Sequence, residues 1–151
     1  MLKIITGNIL NARESLICQQ VNCQNAMGAG LAKVLYSKWP AVKRDYHDFC
    51  REKEPAELLG AYQIVPVDQT RSVVNVFSQL EFGRKKGKVY TRYDALETAF
   101  SALHHDYPDA SLAFPYGFGC GLANGDWTIV LSLIEKHFAD HVVTIYQLEG
   151  F

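Results

Sequence analysis

The residues of this chain best suited to chemistry lie in two glycine-rich segments, Asn22-Cys-Gln-Asn-Ala-Met-Gly-Ala-Gly-Leu-Ala32 and Pro115-Tyr-Gly-Phe-Gly-Cys-Gly-Leu-Ala-Asn-Gly-Asp-Trp127. Each follows an apolar run that reads as a strand, and each opens into a helical pattern. Glycine at such a place allows positive φ and lets a ligand approach the main chain. The N–H groups at the mouth of the next helix face any anion placed there, and the helix dipole favours negative charge. One such loop is a weak signal of a phosphate site. Two, after different strands, suggest a clamp on a diphosphate. Neither segment is a G-x-G-x-x-G fingerprint or a Walker A loop, and no Gly-Lys-Ser/Thr follows either. A dehydrogenase or P-loop manner of holding the ligand is therefore not expected.

Around these loops stand the side chains that could act on a ligand. Asn22 and Asn25 end an apolar strand, where asparagine is poorly suited, so they have either a polar task or turn-forming hydrogen bonds. Asp126 is the nearest acid to the second loop. It reads as the cap of a helix starting at Trp127, and a carboxylate stabilised there could also orient a water. Cys120 reads as a small residue in a tight turn rather than a nucleophile, because no histidine lies nearby to activate it. Glu81 and the run Arg84, Lys85, Lys86 and Lys88 form a basic loop bracketed by Gly83 and Gly87. The alternatives for it are a solvated surface and a mobile arm on phosphate. His137 and His141 straddle a helix end with no third ligand candidate, so no metal is expected.

The elements that must position these residues alternate between strand and helix patterns. Residues 2–6 and 16–21 read as buried strands. Helices follow from 28 to 37 and, after Pro40, from 41 to 51. Residues 62–67 and 72–77 read as a hairpin or adjacent strands across Asp68-Gln-Thr70. Thr91 with Asp94 reads as a capping box, opening a helix with Tyr93, Leu96, Phe100 and Leu103 on one face. A strand at 111–114 feeds the second glycine loop. Trp127, Val130, Leu131, Ile134 and Phe138 mark an amphipathic helix, and 142–148 closes the chain as a strand. The pattern predicts an α/β sandwich whose sheet is not purely parallel, with ligands at the strand C-termini.

At 151 residues the chain reads as one domain, 1–151, able to bury roughly two-thirds of its unfolded surface. A net charge of −1 argues against broad capture of nucleic acid, leaving anion selectivity to backbone geometry. No apolar run is long enough to span a bilayer, and the opening residues read as a strand rather than a signal peptide. The four cysteines include no C-x-x-C pair, so reduced thiols and a cytoplasmic location are expected.

With these motifs in place, the chain resembles the macrodomains, a family that binds ADP-ribose and its derivatives. Lys3-Ile-Ile-Thr-Gly7-Asn8-Ile9 resembles the family's first strand and Gly-Asp/Asn-Ile turn. Val21-Asn22-Cys-Gln-Asn25 with Met27-Gly-Ala-Gly-Leu-Ala32 resembles its first loop, Pro115 through Leu122 its second, and Thr144-Ile-Tyr-Gln-Leu148 its closing strand. The resemblance implies a three-layer αβα sandwich with a mixed sheet of about six strands. It is nearest to the terminal ADP-ribose glycohydrolases and the ADP-ribose 1″-phosphate phosphatases. It implies an ADP-ribose partner and no cofactor. It places Asn8 and Ile9 at the adenine. Gly28, Ala29, Gly30 and Leu31 fall on one side of the diphosphate, and Gly117, Phe118, Gly119, Cys120, Gly121 and Leu122 on the other. Asn22 falls at the distal ribose, with Asp126 the nearby acid for hydrolysis. The glycohydrolases carry an aspartate where this chain has Ala123, and their lysine nucleophile has no clean match near Ser78 and Gln79. A lysine–aspartate mechanism therefore does not map onto this chain. Hydrolysis at the distal ribose by an activated water and non-catalytic ADP-ribose binding are the two expected functions.

Overall fold

The computed structural model describes residues 2–149. Six strands form one mixed sheet: β1 (Leu2–Thr6), β2 (Leu16–Asn22), β3 (Tyr62–Pro66), β4 (Ser72–Gln79), β5 (Leu112–Pro115) and β6 (Val143–Gln147), in the order β1-β6-β5-β2-β4-β3. All pairs are parallel except β3 with β4. That antiparallel pair is the expected hairpin. Parallel strands need crossovers, and here the crossovers are the helices that cover both faces.

One face packs on α4 (Tyr93–Asp106) and α5 (Trp127–His137), where Leu96, Phe100, Val130, Ile134 and Phe138 meet Cys18, Val76, Phe114 and Ile145. The other packs on α1 (Gly30–Lys38), α2 (Ala41–Cys50) and the short α3 (Pro55–Leu58), through Leu35, Val42, Tyr46 and Leu58 against Ile17, Val73 and Phe77. This is a three-layer αβα sandwich. Complete burial of a side chain such as Phe100 or Ile134 contributes roughly 1.5–3 kcal/mol. Among the described residues, no helix is long and apolar enough to cross a membrane.

Two local expectations are corrected. β1 is apolar but not buried: it pairs on one side only, with β6, and Ile4 is 47% exposed. Strand order made it an edge. Thr91 and Asp94 do not cap α4. The N-cap is Arg92, Asp94 pairs with the Arg92 guanidinium at 2.8 Å, and the Thr91 hydroxyl donates to the Gly119 carbonyl instead. Tertiary partners, the Gly119 carbonyl as acceptor and the Gln20 amide as donor, hold the hydroxyl in place of a first-turn N–H. Two short elements also went unanticipated, α3 and a 3-10 turn at Ile9–Asn11. The N-cap reading of Asp126 holds, since its Oδ1 accepts from Thr128 N at 2.9 Å.

Candidate functional site

A cleft of about 790 Å³ opens at the C-terminal ends of β2, β4 and β5, the end where open α/β sheets place their ligands. Its floor is Gln19, Gln20, Val21 and Asn22 of β2. One wall is residues 26–32, the opposite wall is residues 115–119 with 121–123, and Gln79, Phe82, Gly83 and Arg84 follow β4 along a third side.

The two walls are built differently. Gly30 begins α1 with φ +60°, and the N-cap residue Ala29 supplies no side-chain hydrogen bond, so the first-turn N–H groups keep their orphan donors. An anion in front of them would find donors and the positive end of the helix dipole. In the second loop, Cys120 N donates to Gly117 O at 2.8 Å, Asn124 N to Gly121 O at 3.0 Å and Gly125 N to Gly119 O at 2.9 Å. These successive turns are tied down by a polar cluster beneath them. The Thr91 hydroxyl donates to Gly119 O at 2.5 Å and accepts from Gln20 Nε2 at 2.9 Å, while Gln20 Oε1 accepts from the Ser78 hydroxyl at 2.7 Å. Gly119 has φ +74°, and a Cβ there would lie 2.9 Å from Gln20 Oε1. Ala123 O accepts from Tyr90 N at 2.7 Å, pinning the loop's far end.

The sequence-derived candidates divide into those that line the cleft and those that do not. Asn22, Gly28, Ala29, Gly30, Leu31, Gly117, Phe118, Gly119, Gly121 and Leu122 line it. Asn22 is heavily committed: Nδ2 donates to Ala26 O at 2.7 Å, and Oδ1 accepts from Gln24 N and from the Tyr46 hydroxyl, both at 2.9 Å. Its side chain therefore shapes the first loop, with one amide hydrogen left over. Asn8, Ile9, Cys120 and Asp126 lie outside the lining. Asn8 Oδ1 accepts from Leu10 N at 3.0 Å, and Ile9 is buried in the core under α1 and α2. Burial and then the Asp126 charge push the Cys120 thiol up to about 11, so it stays protonated at neutral pH.

Of the basic loop, Arg84 reaches the cleft and is the one charged residue among the described lining residues. Lys85 and Lys86 are exposed, and Lys88 pairs with Glu81 at 3.3 Å. His137 and His141 take separate partners: His137 meets Glu97, while His141 lies 2.8 Å from His104 and donates to Ala110 O. Sequence reasoning missed Gln19, Gln20, Ser78 and Thr91. The signal was a pair of glutamines inside an otherwise apolar strand.

No family model matches the chain. An ADP-ribose 1″-phosphate phosphatase of Saccharomyces cerevisiae is 24% identical, with 95% of this chain and 97% of that protein aligned. Another protein of that name, from Debaryomyces hansenii, is 30% identical over 74 residues, so the match spans 41% of its length. Among solved structures, a macrodomain protein from Streptomyces coelicolor superposes with a TM-score of 0.77 at 24% identity, covering 97% of this chain and 98% of that one. Thermosipho africanus DarTG in complex with ADP-ribose superposes with a TM-score of 0.79 at 20% identity, covering 99% of this chain and 42% of that one.

Proposed function

The chain has the macrodomain fold, and on that premise we propose that its cleft binds ADP-ribose and that the protein hydrolyses an ADP-ribose derivative at the distal ribose. The observation that carries the binding half is the pair of opposed loops at two strand ends, one offering a helix N-terminus and the other a run of tight turns. A diphosphate fits between them on backbone geometry, without a lysine-lined pocket. The two relatives named ADP-ribose 1″-phosphate phosphatase and the ADP-ribose complex of a structural neighbour support the choice of ligand. The expected dissociation constant is on the order of micromolar, about −8 kcal/mol.

For hydrolysis, the remaining amide hydrogen of Asn22 would hold the distal ribose or the attacking water, and Asp126, outside the lining and capping α5 through Oδ1, would have to polarise that water through Oδ2. Loss of such a group costs roughly 10²–10⁴ in rate. Asn22→Ala and Asp126→Ala should therefore lower turnover of ADP-ribose 1″-phosphate more than they weaken ADP-ribose binding. A second reading, a non-catalytic ADP-ribose-binding module, is favoured by one observation: no carboxylate, histidine or lysine is among the described residues lining the cleft. Calorimetry with ADP-ribose, followed by turnover assays on the 1″-phosphate and on a glutamate-linked ADP-ribose adduct, separates the two. Binding without turnover of either substrate selects the module, and absence of binding rejects both.

A further inference from the structure

Across the sheet under the first loop runs a chain of side-chain amides. Gln19, Asn75 and Gln63 are direct neighbours on β2, β4 and β3. Gln63 Nε2 donates to the main-chain carbonyl of Asp45 in α2 at 2.8 Å, Asn75 Nδ2 donates to Gln63 Oε1 at 3.0 Å, and Gln19 Nε2 donates to Asn75 Oδ1 at 2.8 Å. The direction of this relay is fixed at its far end, because a backbone carbonyl can only accept. Flipping any one amide would set donor against donor or acceptor against acceptor. The last atom of the relay, Gln19 Oε1, is therefore an acceptor by construction. It is buried and has no partner among the described residues, whereas Gln19 itself lines the cleft floor. A buried acceptor left unpaired is costly, and native structures rarely keep one without a use.

We propose that Gln19 is a specificity-determining residue whose Oε1, covered in the unliganded protein, accepts a hydrogen bond from a sugar hydroxyl once nucleotide entry opens the surface over it, with the Asp45–Gln63–Asn75 relay fixing its polarity. This rests on the ADP-ribose reading of the cleft. A site that presents only an acceptor selects for a donor, and its discrimination comes from the cost of leaving that acceptor empty. Ribose hydroxyls are donors, whereas phosphate oxygens at neutral pH are acceptors. The relay thus adds selection for the sugar to the loops' selection for the diphosphate.

The test is calorimetry of ADP-ribose and of ADP on the parent, on Gln19→Met and on Gln19→Met/Asn75→Leu. The double variant removes both ends of the Gln19–Asn75 contact, and the partner then lost to Gln63 Oε1 lies at a half-buried residue rather than a fully buried one. About tenfold weaker ADP-ribose binding is expected in both variants. A loss confined to ADP-ribose assigns the hydroxyl to the distal ribose; a loss shared with ADP assigns it to the adenosine ribose. In the unaltered protein, the Gln19 side-chain amide resonances should also shift on saturation with ADP-ribose, a readout independent of how the variants fold. Unchanged affinity in a folded double variant, or an unmoved Gln19 amide at saturation, overturns the Gln19 assignment while leaving ADP-ribose binding intact. If the parent binds neither nucleotide, both the assignment and the ligand reading fall.

Discussion

The two glycine loops look alike in sequence and are opposite in construction. At Gly28 an added Cβ would meet nothing within 4 Å, whereas at Gly125 it would lie 2.5 Å from the Gly119 carbonyl oxygen. The first loop is glycine-rich because space is kept open on the cleft side. In the second, Gly117 and Gly121 are equally open, but Gly119 is closed in by the Gln20 and Thr91 side chains and Gly125 by the loop's own backbone, so neither has room for a side chain. One loop is shaped for a ligand to complete and the other is preassembled, and preassembled donors need little rearrangement when a ligand arrives.

The contrast can be broken most forcefully by substitution. Gly119→Glu places a strained backbone, a steric conflict and a negative charge at the preassembled wall, and ADP-ribose binding should be abolished in calorimetry. Gly125→Ala should destabilise the fold by about 1–3 kcal/mol in urea unfolding, while Gly28→Ala should stay within about 0.5 kcal/mol of the parent. Equal stability of these two alanine variants would erase the distinction. A smaller loss, about 0.5–1.5 kcal/mol, is expected for Thr91→Val, because the Gly119 carbonyl still accepts from Gly125 N and Gln20 Nε2 still donates to Gln79 Oε1 when their shared hydroxyl is gone. Asp126→Ala should cost about 1 kcal/mol through the lost cap, measured by the same unfolding curves.

The smallest effect is in pH dependence. Burial holds the Cys120 and Cys23 thiols up at about 11, above the ordinary thiol value of about 8.5. A raised folded value favours the protonated form, so this contribution is fully present below the unfolded pKa and is lost as pH rises through about 11. Alkylation of Cys120 in the native protein should accordingly lag that in urea across this window. Equal rates would place the thiol in solvent and remove it from the loop's packing.

Much of this was legible in the sequence because the signals were local. Both loops, the strand before each and the α5 cap at Asp126 follow from patterns within a dozen residues. The structure adds what depends on register. Gln19 and Gln20 point to opposite faces of β2; the pairing of β2 with β4, and of β4 with β3, makes the amide relay of the first, while Ser78 of β4 and Thr91 meet the second under the second loop. Thr91 likewise exchanged a predicted helix cap for a contact 28 residues away. The exposure of β1 follows from strand order, which composition does not encode.

The most direct test of the central claim is a crystal structure with ADP-ribose bound. The diphosphate oxygens should lie at hydrogen-bond distance, about 2.7–3.2 Å, from backbone N–H groups of residues 28–31 on one side and 117–121 on the other. A diphosphate held by one loop alone, carried by Lys85 and Lys86, or seated outside the cleft would contradict it.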